Sequence, residues 1–187
     1  MAVKIKLKNV RTSFFDGYVA KEFKTGDGKP RYSCSFLIEK GSANDKAVRQ
    51  AIKEAAAETF EKKAEGLLKS WESNSNKFCY SDGDTKDYEG SEGMMVLASH
   101  RPSNKGRPDI RDRDGKTPLT AADGKPYSGC YVNAVVELWG QKGDNPGMRC
   151  ALIGMQFSGD GDAFSGGSVI EDGDFEDLGD DADDSMV

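Results

Sequence analysis

Residues 129–141 read GCYVNAVVELWGQ and alternate between two faces along most of their length. One face is apolar and consists of Cys130, Val132, Ala134, Val136 and Leu138. The other face carries two aromatic rings and an amide, and consists of Tyr131, Asn133, Val135, Glu137 and Trp139. A period of two residues is typical of a β-strand, so the segment predicts a long strand with one face in a core.

Other strand-like segments lie on both sides of this one. Residues 148–158 are a second long strand, and the loop 143–147 (GDNPG) between the two has the composition of a hairpin turn. At the N-terminus, Val3, Ile5 and Leu7 alternate with three lysines, which predicts a half-buried strand over 3–8. Further strands are expected at 32–38, 77–80, 94–100 and 109–113, and a turn is expected at 25–30.

One helix is predicted, over residues 43–71. Ser42 followed by Asp45 resembles a capping box at its start. Apolar residues then recur at steps of three and four on one stripe, formed by Val48, Ile52, Ala56, Phe60, Ala64, Leu67 and Trp71. The stripe is expected to pack on a sheet, with Trp71 in the core.

These elements predict a mainly β protein. Several strands, one long inserted α-helix and basic loops suggest a small, strongly curved antiparallel barrel of the OB-fold type. On these patterns alone, a β-sandwich remains the alternative. The length favours a single domain, which we place at 1–157, followed by an acidic C-terminal tail over 158–187.

The tail reverses the net charge of the chain. Residues 158–187 contain 11 acidic residues and no basic one, whereas the whole chain has 26 basic and 32 acidic residues and a net charge of −6. The body therefore keeps 26 basic and 21 acidic residues, a net charge of +5. Such acidic runs are usually disordered and often are interaction tails. A basic body with an acidic tail suggests a polyanion ligand, although a purely solubilising tail is the simpler alternative.

Several function classes are disfavoured. The single histidine, His100, lies in a predicted strand, where a structural role is the commoner one, and no nucleophile elbow, phosphate loop or dinucleotide fingerprint is present. We therefore expect no enzymatic activity and no cofactor. The acidic clusters at 82–84 and 160–162 fail the ligand spacing of a calcium loop, and the four cysteines are too scattered for zinc, so no metal is expected. No signal peptide or membrane span is apparent, and scattered free cysteines fit a reducing cytoplasm.

Single-stranded nucleic acid is the ligand that the pattern favours. Binding proteins of this kind combine cations that follow the phosphates with aromatic rings that stack on unpaired bases. Tyr131 and Trp139 are the candidate stacking residues. The candidate phosphate contacts are Lys4, Lys6, Arg31, Arg101, Lys105, Arg107 and Arg111. The alternative is that the aromatic face packs under the helix or in a homodimer interface. Electrostatics alone would also give weak, salt-sensitive binding to duplex DNA.

The chain resembles the small bacteriophage single-stranded DNA-binding (ssDNA-binding) proteins. The resemblance rests on residues 29–38 (KPRYSCSFLI), the helix, 107–110 (RPDI), and 127–134 (YSGCYVNA) running through Gly147 into 151–157 (ALIGMQF). It implies an OB-fold core, an inserted helix, an acidic tail, and a role in DNA replication and recombination in the cytoplasm of the bacterial host. The family pattern of binding residues matches Lys4, Arg31, Arg101, Lys105 and Trp139.

The resemblance also implies that the tail recruits replication or recombination proteins. The tail residues that would do so are Asp174, Phe175, Asp180, Asp181, Asp183 and Asp184. Tails of this type often end in an aromatic residue, whereas this chain ends in DDSMV and has Phe164 and Phe175 earlier.

A second function from another class is an interaction protein whose tail mimics DNA and blocks a DNA-binding enzyme of the host. The net charge of +5 on the body argues against this alternative, because a mimic should be acidic throughout. Deletion of the tail distinguishes the two, since a mimic would lose its function and a DNA-binding protein would gain affinity.

Overall fold

A computed structural model describes residues 2–22 and 27–164. The strands are β1 (Val3–Lys21), β2 (Arg31–Glu39), β3 (Tyr80–Asp82), β4 (Met94–Pro102), β5 (Asp109–Arg111), β6 (Tyr131–Gln141) and β7 (Gly147–Gly159), and the helices are α1 (Ala43–Phe60) and α2 (Ala64–Trp71). The tail residues predicted to bind partners, 174–184, lie outside the described part of the chain.

Five of the strands close into a barrel. β1 pairs with β6 on one side and with β2 on the other, β2 pairs with β4, and β6 pairs with β7, all antiparallel. A parallel contact of His100 in β4 with Ala151 in β7 completes the ring. The short strands β3 and β5 extend the sheet at β4 and β7. The architecture confirms the predicted barrel with its inserted helix.

The alternating pattern of β6 places one of its faces in the core, as predicted. Val132, Ala134, Val136 and Leu138 are at most 2% exposed, and the residues between them are only partly buried. Inward-facing residues of the other barrel strands fill the same core, among them Leu7, Phe36, Leu97 and Leu152, each fully buried. The core thus fixes which side chains of each strand point outward.

The first strand is much longer than the predicted 3–8. It reaches Lys21 because irregularities in its pairing, between Leu7 and Val10 and again after Ser13, let it bend from β6 to β2. Asn9 and Phe14 adopt positive φ values of 49° and 50° within these irregular stretches. Bulged residues of this kind increase strand curvature, which closing a barrel requires.

The helix begins as predicted but is not continuous. The Ser42 hydroxyl accepts a hydrogen bond from the Asp45 amide at 3.2 Å. Glu61, however, has a φ of 50°, so α1 ends and a turn of 3₁₀ helix over Glu61–Lys63 leads into α2. The prediction of a single helix over 43–71 was therefore wrong. The break lets Trp71 pack edge-to-face on Phe60, with ring centres 5.4 Å apart, and Trp71 is buried in the core as expected.

Asp45 joins the start of the helix to the sheet. The residue is 4% exposed, and its carboxylate accepts hydrogen bonds from Gly41 N (2.8 Å), Arg49 Nε (2.8 Å) and the Tyr80 hydroxyl (2.5 Å). Burial by itself would raise the pKa of Asp45, but the bonds from Tyr80 and Gly41 and the Arg49 charge outweigh it and lower the pKa. The network therefore stabilises the fold only while Asp45 is ionised.

Replacement of Asp45 by Asn should destabilise the protein by about 1–3 kcal/mol at pH 7, because buried donors lose a charged acceptor. The pKa of the folded state lies below the model-peptide value of 3.8, so the carboxylate contributes its full stability above that pH and loses it as the pH falls further. Urea unfolding of both proteins at pH 7 and near pH 3 tests this, with the exposed Asp87→Asn as control. A difference that is equally large at both pH values would contradict the prediction.

Candidate nucleic-acid interface

The outward side chains of β6 share a surface with those of its two neighbours. Residues directly opposite each other in paired strands point to the same side of a sheet. Lys4 and Lys6 in β1 lie opposite Glu137 and Val135, and Trp139 lies opposite Arg149 in β7. The predicted lysine row and the predicted tryptophan are therefore brought onto one surface.

The surface continues across β7 to β4 and β2. Ala151, opposite Glu137, contacts His100 of β4, and His100 lies opposite Ser33 of β2. Arg31 lies opposite Pro102, two positions further along the same side. We call this surface the outer face, and define it by Arg31, Ser33, His100, Glu137, Trp139, Arg149 and Ala151. His100 lies at its centre between Ser33 and Ala151, and its margins carry the two arginines and the indole.

The basic residues of the outer face influence one another. Burial, together with the nearby charges of Arg31 and Arg149, lowers the pKa of His100 to about 4. The pKa of Arg149 is lowered by burial and by Arg31. His100 is therefore neutral at pH 7, and the positive charge comes from Arg149 and from Arg31, which is paired with the Asp27 carboxylate at 3.1 Å. The Arg149 guanidinium is oriented by bonds to the Asn76 carbonyl (2.6 Å) and the Asn145 carbonyl (3.2 Å).

A groove of about 430 Å³ adjoins the outer face beside β1 and β6. Lys4 and Lys6 line it, are exposed, and form no ion pair with any described residue. Arg111 also lines it, but its guanidinium is held by the Asp109 carboxylate (2.6 Å) and the Gly115 carbonyl (3.0 Å). Lys8 also lines the groove, is exposed and has no ion pair within the described part of the chain, so the three lysines are the cations of the groove that are available to an anionic ligand.

Three other predicted phosphate contacts lie elsewhere. Arg101 lies opposite Tyr32 and donates to the carbonyls of Gly106 (2.9 Å) and Lys105 (2.9 Å), so its guanidinium holds the loop that follows β4. Lys105 is exposed on that loop. The Arg107 guanidinium lies 5.5 Å from the ring centre of Tyr18. These three residues thus belong to the end of β4 and the loop that follows it, and this loop adjoins the outer face at Arg31.

The two predicted stacking residues are far apart. Tyr131 and Trp139 begin and nearly end β6, which separates them by about 26 Å in an extended strand. Tyr131 lies next to Arg11, whose guanidinium is 6.0 Å from its ring centre, and Trp139 lies next to Arg149. They therefore cannot form one stacking platform for neighbouring bases.

Sequence reasoning missed Arg149 and assigned His100 a structural role only. Both are outward residues of strands that were predicted, since Met148, Cys150 and Leu152 point inward on either side of Arg149 and Ala151. The alternation of β7 could therefore have placed Arg149 on the outside. It could not have shown that β4 and β7 are neighbours.

The first residues after β7 return to the barrel. Arg11 donates to the Asp162 carbonyl (2.7 Å) and lies 4.2 Å from the ring centre of Phe164. The Tyr127 hydroxyl donates to the Asp160 carboxylate at 2.7 Å, and Phe164 N donates to the Ser128 carbonyl at 3.0 Å. Contacts with the barrel thus continue beyond Phe157, to Phe164.

Among the described residues we find neither a metal-binding cluster nor a membrane-spanning helix. Within 2–22 and 27–164, no group of three or more His, Cys, Asp or Glu residues is arranged to hold a metal ion. Lys40 bridges the Asp82 and Asp84 carboxylates at 2.7 and 2.6 Å, so a lysine already occupies that acidic pair. All four cysteines are buried free thiols. Among the described helices, none is long and apolar enough to cross a membrane.

Known proteins resemble this chain in sequence and in structure. A family model described as "Enterobacter phage Enc34, ssDNA-binding protein" matches residues 3–187. "Putative protein p50" of Acyrthosiphon pisum secondary endosymbiont phage 1 is 42% identical over 178 residues, 94% of each chain.

Two solved structures show the same fold at low sequence identity. The ssDNA-binding protein of bacteriophage Enc34 in complex with ssDNA has a TM-score of 0.70 at 23% identity, over 87% of this chain and 89% of that one. For gp2.5, an ssDNA-binding protein encoded by bacteriophage T7, the TM-score is 0.56 at 12% identity, over 95% and 100%.

Proposed function

The chain belongs to the family of the ssDNA-binding protein of Enterobacter phage Enc34, and on that premise we propose that it binds ssDNA without sequence preference through the outer face and the adjoining groove. The solved relative in complex with ssDNA supports the ligand class. The single observation that carries the location is the juxtaposition of Trp139, Arg149 and Arg31 around His100 and Ala151.

The chemistry of this surface suits an unpaired strand. An indole ring can stack on any base, which contributes about 1–3 kcal/mol per base with little sequence preference. The arginines and the groove lysines follow the phosphates, and Ser33 and Ala151 leave room for the sugars and bases between them. A duplex offers phosphates but no free base face, so it should bind weakly and only at low salt. Salt titrations of an unstructured oligonucleotide and a duplex, compared side by side, test this preference.

The wider role follows from the family and from the charge of the tail. We propose a non-enzymatic protein without cofactor that holds transient single strands during phage DNA replication and recombination in the cytoplasm of the bacterial host. The acidic tail would compete with DNA for the basic surface and recruit replication or recombination proteins. The reversal of net charge between body and tail supports the competition.

Replacement of Trp139 by Ala should weaken binding of oligothymidine by about 1–3 kcal/mol, because one stacked base is lost. Its free energy of unfolding should change little, since Trp139 is partly exposed at the end of a strand. Trp71→Ala is the matched control: Trp71 is 5% exposed, so its loss should cost about 3–5 kcal/mol of stability instead. Fluorescence titration and urea unfolding measure the two quantities. If Trp139→Ala unfolds the protein, Trp139 is a core residue and not a stacking residue.

Replacement of Arg31 by Ala should weaken binding to all sequences alike. Each phosphate contact on a single strand contributes about −0.7 to the slope of log affinity against log salt, and the variant should lose roughly that amount. Lys69→Ala is the control, because Lys69 carries the same charge but lies on α2, away from the five barrel strands. An unchanged slope in Arg31→Ala, or an equal change in Lys69→Ala, would remove Arg31 from the phosphate path.

Truncation after Phe164 should tighten ssDNA binding, most strongly at low salt, because a tethered anion competes best when screening is weakest. The cut follows Phe164 so that β7 and the contacts of Arg11 with Asp162 and Phe164 are preserved. A full-length variant with Asn at Asp174, Asp180, Asp181, Asp183 and Asp184 keeps the tail length and should shift in the same direction. Equal or weaker binding by a folded truncation would exclude competition by the tail.

A further inference from the structure

A second depression, of about 420 Å³, lies away from the outer face, between the end of β1 and residues 121–128. Phe15, Tyr18 and Tyr127 line it with aromatic rings, and Val19 and Pro126 add apolar surface. Val19 is 62% exposed. The volume falls within the range of about 300–1,000 Å³ that is typical of small-molecule sites. The depression therefore has the size and the wall chemistry of a site for a flat, largely apolar group.

The rings that form the depression are fixed in position. The Tyr18 hydroxyl donates to the Lys125 carbonyl at 2.6 Å, and the rings of Phe15 and Tyr18 pack edge-to-face with centres 5.5 Å apart. The Tyr127 hydroxyl is engaged with Asp160. Burial, followed by the charge of Asp123, raises the pKa of Tyr18 to about 12, so its ring remains neutral at physiological pH. Rigid side chains lose little conformational entropy on binding, which favours a stacked ligand.

Basic residues connect this depression to the outer face. Arg31 lies opposite Pro102, and the amide of Ser103 donates to the Pro30 carbonyl at 3.1 Å, so the loop after β4 is tied to the start of β2. The same loop leads to Arg107, whose guanidinium lies over the Tyr18 ring. Lys21, paired with Asp16 at 2.6 Å, is on the rim. A strand that leaves the outer face at Arg31 can follow the loop to the depression.

We propose that this depression is a second binding site for a nucleobase of the same single strand. This inference rests on the proposed function. A base fits better than a phosphate because the walls are aromatic and because Asp16 and Asp123 lie close enough to disfavour a bound anion. Arg107 and Lys21 would contact the backbone at the rim. Only an unpaired base can turn into such a site, so the site adds to the preference for single strands over duplex.

The test uses the full chain and oligothymidines from about 6 to about 30 nucleotides, a range that exceeds the site size of about 4–16 nucleotides seen for OB folds. Short oligonucleotides should bind the outer face alone, and longer ones should gain affinity when they reach the depression. Val19→Trp fills the depression from its exposed rim without disturbing the core. It should bind the shortest oligonucleotides like the wild type and lose the gain seen with longer ones. Equal or tighter binding of long oligonucleotides by this variant would overturn the proposal.

Tyr18→Ala should weaken binding of the longest oligonucleotide by roughly 5- to 150-fold, which corresponds to one stacked base. Tyr18→Phe keeps the ring and removes only the bond to the Lys125 carbonyl, so it should bind within about twofold of the wild type. Phe14→Ala removes an aromatic that is 55% exposed outside the depression and should have no effect. Equal losses in Tyr18→Ala and Tyr18→Phe would show a structural role and overturn the site. If the wild type binds no oligonucleotide of any length, the proposed function itself fails.

Discussion

The parallel contact between β4 and β7 at His100 and Ala151 converts a sheet into a barrel. Without it, β2 and β4 would lie at one end of the sheet and β6 and β7 at the other, with β1 between them. Closure places Arg149 near Arg31 and brings the cations of β2 and β7 onto one surface, beside the groove that holds the lysines of β1. The interface for an extended polyanion is therefore a consequence of barrel closure rather than of any single strand.

The same closure constrains the length of β1. A single strand must pair with β6 through its first half and with β2 through its second half, so it has to bend sharply, and its alternation is interrupted between Leu7 and Val10 and at Thr12 and Ser13. The two irregular stretches around Asn9 and Phe14 permit this bend. The second half of β1 stays paired with β2 as far as Lys21, and there it also meets residues 121–128 and forms the aromatic depression around Tyr18. Both surfaces that we assign to ssDNA depend on this one strand.

Some cations of the body are available to a ligand, and others hold parts of the fold together. Lys4 and Lys6 are exposed in the groove, whereas Arg101 and Arg111 use their guanidinium groups on loop carbonyls and on Asp109. Arg11 likewise serves the fold, because it holds the residues that follow β7. A positive net charge on the body therefore does not identify the residues that contact a ligand. A carboxylate partner offsets the charge of its cation, as Asp109 does for Arg111 and Asp27 does in part for Arg31. The Arg149 guanidinium is instead held by carbonyl oxygens.

The sequence by itself located most of the strands, though not the second half of β1, and it determined their faces and the charge contrast between body and tail. These follow from local periodicity, because the period of two in 129–141 and 148–158 fixes which residues enter a core, whatever the topology. The start of the helix at Ser42 was likewise local. The break of the helix at Glu61 was not predictable, because the amphipathic stripe continues through it. The contact between Trp71 and Phe60, which the break allows, is a tertiary contact that the stripe does not show.

Only the tertiary structure decided which outward residues meet. Arg31, His100 and Arg149 are far apart in the sequence and become neighbours through the pairing of β2, β4 and β7. Tyr131 and Trp139 share a face of one strand, but an extended strand rises about 3.3 Å per residue and therefore holds them far apart. Pairing between strands distant in sequence depends on closure of the whole barrel, and no local pattern encodes it.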